Sequence, residues 1–210
     1  CGFAMAKLTP ARATTATTLT AAAVTLNAAA AITSGSAGTD IDTSGSNGLI
    51  DITAGTSIGA SGNPLQVNMG TGNLKLTATA GDVYVEKSAG ALNFSKLTTV
   101  SLGGTGKTLQ LSTTNGSVNI DSYAGFNANV QNDNVTVNAT GATSDLTITA
   151  AQPAMTGTIT GTAGQNIALN VAGAVNTTGN VNLTAGGLIS ETGSISGALL
   201  TTNAGTGTTL

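Results

Sequence analysis

The chain has 210 residues, of which 7% are charged and 2% aromatic, with no His, one Cys and a formal net charge of −3. Five Lys and one Arg are too few for the clustered basic surface that phosphate binding needs, which argues against nucleic acid as a partner. Without His, neither a Ser-His-Asp nor a Cys-His nucleophile can be assembled, and no apolar run reaches the roughly 18 residues of a membrane-spanning helix.

Gly stands at 29 residues, about twice the usual share. A chain so poor in large side chains invites a reading as disordered, because little apolar burial is on offer against chain entropy. Disorder usually brings a high net charge, and this chain has almost none. Its Val, Ile and Leu also alternate with polar residues, as in half-buried strands.

The opening residues hold the single cysteine. Cys1 allows no internal disulfide and reads either as a cut in a longer chain or as a lipid-modified first residue. The cut is preferred, since residues 2–6 add nothing toward the second reading. Thr20 to Ile32 is Ala-rich, and Ala favours helix. Val24, Leu26 and Ile32 do not form a helical stripe, so this stretch is assigned to strands. No shift in composition divides residues 1–210, which read as one repeat segment of a longer fibrous protein.

Internal repetition becomes clear from Leu74 onward. Leu74, Leu76, Gly81, Val83 and Val85 are matched, each 35 residues later, by Leu109, Leu111, Gly116, Val118 and Ile120. Leu146-Thr-Ile148 and Val181-Asn-Leu183 continue the series, and Ile50-Asp-Ile52 precedes it. Intervening blocks at Leu92-Asn-Phe94, Phe126 to Val130 and Ile167-Ala-Leu169 divide the spacing into units of 17 to 21 residues. That length suits one coil of a parallel β-helix.

Side-chain parity supports strands. With Leu74, Leu76, Val83 and Val85 inward, Lys75, Thr77, Asp82, Tyr84 and Glu86 point outward. In the next unit Gln110, Ser117, Asn119 and Asp121 fall outward. Gly81, Gly116, Gly164, Gly173, Gly179, Gly186 and Gly193 lie beside the alternating runs, where positive φ at tight corners would favour them. Asn47-Gly48 and Asn115-Gly116 are strong turn dipeptides. A single coil cannot offset its own ordering entropy, so coils must stack on one another. The expected fold is therefore all-β, a parallel β-helix or β-solenoid.

The stretch Val181-Asn-Leu-Thr-Ala-Gly-Gly-Leu-Ile-Ser-Glu-Thr-Gly-Ser-Ile-Ser-Gly-Ala-Leu199 resembles the core repeat of filamentous haemagglutinin-like exoproteins, as do Ile50-Asp-Ile-Thr-Ala-Gly and Leu74 to Gly81. The likeness extends over residues 50–199 in repeat character. It implies a right-handed helix, export by two-partner secretion or an autotransporter route, a bacterial cell-surface or extracellular location, and a role in adherence, aggregation or biofilm. The implied partner is a receptor or glycan on a host or neighbouring cell. The Asn-Pro-Asn-Gly-type secretion signature of such proteins is missing, consistent with an internal segment. A self-assembling filament or sheath subunit, its coils stacking end to end between chains, is the competing expectation.

Chemistry is sparse, and no catalytic, cofactor-binding or metal residue is assigned. Asp40 and Asp42 share a strand face and read as solvated acids. With Asp51 they are the nearest approach to a weak Ca²⁺ site. Gly103-Gly104-Thr105-Gly106 begins like a calcium-roll repeat and then continues without Asp, so it reads as a turn. A polysaccharide lyase would need Arg, Lys and acids gathered in a groove, which one Arg and scattered Lys do not provide. Six Asn-x-Ser/Thr sequons start at Asn93, Asn115, Asn134, Asn138, Asn176 and Asn182, a number that chance accounts for in so Asn-, Ser- and Thr-rich a chain. The Thr-x-Thr runs around Thr147, Thr156 to Thr162 and Thr206 do not recur at the coil period. Outward Thr ladders of the ice-binding kind are accordingly not expected.

Overall fold

The computed structural model describes residues 18–35 and 38–210. Cys1 and Arg12 lie outside the described residues. Short parallel strands stack coil upon coil into a β-solenoid. One long face holds nine strands: Leu19–Thr20, Ile41–Asp42, Leu65–Asn68, Val83–Lys87, Thr108–Thr113, Asn134–Ala139, Ile159–Ala163, Val181–Ala185 and Leu200–Ala204. A second face begins only at Leu92–Asn93 and rises through Val118–Ile120, Leu146–Ile148, Ile167–Leu169, Leu188–Glu191 and Gly207–Thr209. The third side carries Val24–Ala28, Ile50–Ala54, Leu74–Ala78 and Leu97–Leu102. It continues through the bridge from Val100 to Phe126 and ends at Val175–Asn176 and Ile195–Ser196. Strands Leu19–Thr20 and Val24–Ala28 bear out the strand assignment for the Ala-rich segment.

Parity puts the aliphatics inside, as expected. Ile50, Leu74 and Leu97 pair in one column of the third side, and Ile52, Leu76 and Val100 in the next. On the long face Val83, Leu109, Val135, Ile159 and Val181 form a third column. Each of these is at least nine-tenths buried. Such continuity removes apolar surface that no isolated coil could bury.

The coils differ from the expected size. Paired residues lie 28 positions apart between Val118 and Leu146 and 19 apart between Val181 and Leu200, so the period is 19 to 28 rather than 17 to 21. Nor do the 35-residue matches stack. Leu74 pairs with Ile50 and Leu97, whereas Leu109 pairs with Val83 and Val135. The 35-residue offset spans one coil plus one face. The same strand–corner–strand pattern serves at two different corners.

Corners explain much of the variation in length. Ile58 bridges both Ile32 and Val83, while Leu65 pairs with Val85, so residues 59–64 bulge from the long face where one position suffices in the coil above. Side chains satisfy amides where the ladder breaks. At the entrance to the second face, Ser117 Oγ accepts from the Asp145 amide at 3.1 Å. Asp145 Oδ1 then accepts from the Asn166 amide, and Asn166 Oδ1 from the Leu188 amide, each at 2.9 Å. Four successive coils are stitched by one position.

The corner glycines are there for another reason than positive φ. Of the seven singled out by sequence, only Gly173 adopts it (φ 70°). At Gly164, Gly186 and Gly205 a Cβ would come within 2.0, 2.2 and 2.0 Å of the carbonyl oxygens of Gly141, Gly164 and Gly186 one coil below. Glycine is required because the corners stack backbone directly on backbone. Asn47, by contrast, does turn left-handed (φ 52°), as its Asn-Gly dipeptide predicted.

Candidate functional site

Outward positions of the long face are uncharged over five coils. Gln110, Thr136, Thr160, Asn182 and Thr201 form one column, and Ser112, Asn138, Thr162, Thr184 and Asn203 another. The expectation that Thr would not align is thus corrected for Thr160 and Thr162, which pair with Thr136 and Thr184. The alignment arises because uneven corner lengths keep the strands in register.

The candidate acids do not converge. Asp40 Oδ2 accepts from the Gln66 amide at 2.9 Å. Asp42 Oδ1 accepts from the Ser44 amide and hydroxyl at 2.8 and 2.6 Å, which hold its carboxyl below the usual range. Asp51 lies on the third side and faces Lys75 Nζ at 3.6 Å. No trio of acidic, Cys or His side chains suited to a metal occurs among the described residues. The Gly103–Gly106 turn meets an acid after all, from the next coil: Asp133 Oδ1 accepts from the Lys107 amide at 2.8 Å. The other oxygen, Oδ2, is buried without a partner, and burial raises the Asp133 pKa. Tyr84 sits on an outward position, half-exposed. Tyr123 instead joins Phe94 and Phe126, with ring centroids 5.5 to 6.1 Å apart, and burial pushes its phenol well above the ordinary tyrosine range.

The most distinctive site lies where the second face begins. Below Leu92–Asn93 the chain leaves Leu65–Asn68 through a tight Met69–Gly72 turn, closed by the Gly72 amide on Met69 O at 2.8 Å, and enters the third side directly. The second face therefore starts on a step. Leu92–Asn93 pairs with Val118–Ile120 on one edge only, among the described residues. A cleft of about 430 Å³ opens at the step, bounded by the Met69–Thr71 turn, residues 89–91, Asn68, Asn93, Lys87 and Lys96.

Lys87 is the anomaly. Its inward column runs Val67, Lys87, Thr113, Ala139, Ala163, Ala185 and Ala204. Every coil above the lysine has Thr or Ala there, and only Lys87 brings a long charged chain inward, where it is 3% exposed. Its ammonium donates to Ala89 O, and desolvation lowers its pKa. The single ion pair among the described residues is Lys75 with Asp51, so neither Lys87 nor Lys96 has a carboxylate in ion-pair range. Two acids reach the rim through other residues: Asp42 Oδ2 accepts from Asn68 Nδ2 at 3.4 Å, and Asp121 accepts from the amide and hydroxyl of Ser95, next to Lys96, each at 2.7 Å. A signal for the inward lysine exists in the sequence, since Lys87 lies two residues after Val85 and so shares its inward parity. The step that gives the lysine its cleft was not readable, because it depends on which corner the chain takes after Asn68.

Compared with known proteins, the chain matches no family model, no curated protein and no solved structure.

Proposed function

We propose that the chain is a rod-forming segment of an extracellular bacterial surface fibre with a structural and adhesive role, its partner a receptor or glycan on a host or neighbouring cell. The observation that carries this reading is the nine-strand parallel ladder, which extends length coil by coil while its outer columns stay almost free of charge. A ladder of this kind resists bending and needs no globular core. The chain has no His, and the described Asp40, Asp42, Asp82, Asp133 and Asp145 each spend an oxygen on a backbone amide, which supports a role without catalysis. The test displays the chain on a non-adherent bacterial cell. Increased attachment to epithelial cells or to neighbouring bacteria supports the proposal; attachment equal to that of cells displaying an unrelated rod of the same length refutes it.

A further inference from the structure

We infer that the cleft beneath Leu92–Asn93 is a binding site for a small sugar acid, with the carboxylate directed toward Lys87 and Lys96. The inference is independent of the fibre role, since it concerns one step of the solenoid and not its length.

Four observations meet at this place. The cleft is the junction where a two-sided coil becomes a three-sided one, so among the described residues one strand edge borders the cleft rather than another strand. Two of the chain's five lysines line it and no acid does. Among the described residues neither lysine is in an ion pair, in a protein with more acids than bases. Lys87 occupies a column that otherwise holds Val, Thr and Ala, where a small residue would fill the same place without the cost of a buried charge.

The lysine is not explained by its one contact. An ammonium has three donors, and the single hydrogen bond of Lys87 goes to Ala89 O. A neutral carbonyl compensates a buried cation only weakly, whereas an anion at the cleft mouth would do so strongly. Lys96, half-buried on the 94–96 turn, adds a second positive charge at the same mouth. The ligand class follows from the rest of the lining. Asn68 donates to Asp42 and Asn93 Oδ1 accepts from Asn119 Nδ2, which leaves one Asn68 amide hydrogen and the Asn93 amide nitrogen for hydroxyl groups. Met69, Ala89 and Ala91 offer small apolar walls, and Gly70 and Gly90 let the backbone approach closely. No aromatic ring lines the cleft for a planar ligand to stack on. Carboxylate, several hydroxyls and modest bulk describe a hexuronate better than a phosphate ester or an aromatic acid.

The experiment titrates the full chain with galacturonate, galactose and acetate, and follows amide shifts by heteronuclear NMR. Expected is saturable binding of galacturonate with shifts centred on residues 89–96, and about tenfold weaker binding of galactose and of acetate. Lys96→Gln, on a half-exposed site without an ion-pair partner among the described residues, weakens galacturonate by about tenfold, and Lys87→Met does so at least as strongly. The amide fingerprint of each variant away from the cleft verifies that the solenoid is intact. Absence of saturable galacturonate binding overturns the inference. So does galactose binding as tightly, which removes the carboxylate, or acetate binding as tightly, which removes the sugar. Unchanged affinity in Lys96→Gln and Lys87→Met alike also overturns it.

Discussion

Replacing Gly186 by Ala tests the claim that corner glycines answer to backbone stacking. The new Cβ would lie 2.2 Å from Gly164 O and 3.2 Å from Gly164 C. Ordinary non-bonded separation is about 3.5 Å, so the corner must lift by about 1 Å. Both neighbours are backbone atoms and cannot rotate away. The Gly186 amide already reaches Ala163 O at 3.1 Å, and the Gly205 amide reaches Ala185 O at 3.1 Å. Lifting the corner stretches one or both, each worth about 1 kcal/mol net. Overpacking adds about 1–3 kcal/mol, and stiffening of the unfolded chain returns about 0.4–1 kcal/mol. The expected net loss is about 2–4 kcal/mol. Gly173→Ala is the control. Its φ of 70° makes an alanine unfavourable, yet the new methyl would find only Ala151 Cβ at 3.9 Å. The expected loss there is about 1 kcal/mol. Urea unfolding followed by circular dichroism compares the two, and hydrogen exchange localises the Gly186 effect to the amides of Val181–Ala185, because solenoid stability is a sum of neighbour terms. A loss at Gly173 equal to or larger than that at Gly186 refutes the stacking argument.

Other expectations follow from the same contacts. Asp133→Asn keeps the acceptor for the Lys107 amide and removes the charge from the unpartnered Oδ2. Burial raises this pKa in the folded state, so the ionised form opposes folding, and stability contributed by the group grows as pH falls. The variant should therefore be more stable by about 1 kcal/mol at pH 7, with the gain disappearing in urea melts as pH approaches the ordinary aspartate value of 3.8. Asp145→Ala breaks the corner stitch and should cost about 1.5–3 kcal/mol, while Asp145→Asn, which preserves an oxygen for the Asn166 amide, should recover most of it in the same melts. Phe94→Ala removes a core ring and should cost about 3–5 kcal/mol. Ultraviolet titration should also show the Tyr123 phenol ionising at lower pH, since Phe94 shields it.

Local features were the legible ones. Alternation placed Leu74, Leu76, Val83, Val85, Leu109 and Leu111 inside, because a strand has a fixed period of two and one face must be dry. The Asn47 turn was readable from its dipeptide. The glycine corners were located correctly but for the wrong reason, since a close approach between coils leaves no mark in the φ preferences of a single residue. The alignment of Thr160 and Thr162 was not legible, because coils of unequal length leave no constant period in the sequence. The lysine cleft combines one readable feature, the inward parity of Lys87, with an unreadable one, the lack among the described residues of a strand below Leu92.

The coil period was hidden for a physical reason. What repeats in the sequence is a strand, a glycine corner and a second strand, nine residues from Leu74 to Val83 and nine from Leu109 to Val118. That unit obeys local rules only, so it fits any corner of the cross-section. In the first instance it joins the third side to the long face, and in the second the long face to the second face. Perimeter is set elsewhere, by bulges such as 59–64 and by whether a second-face strand is present at all. A mutation confined to those connectors should change coil shape and leave the ladder in register, because the columns are held by interior aliphatics and by corner acceptors such as Asp145. Deleting residues 60–63, which bulge between the paired Ile58 and Leu65, is therefore expected to preserve hydrogen-exchange protection in Val83–Lys87. Loss of protection there would mean that the bulge, and not the interior column, fixes the register.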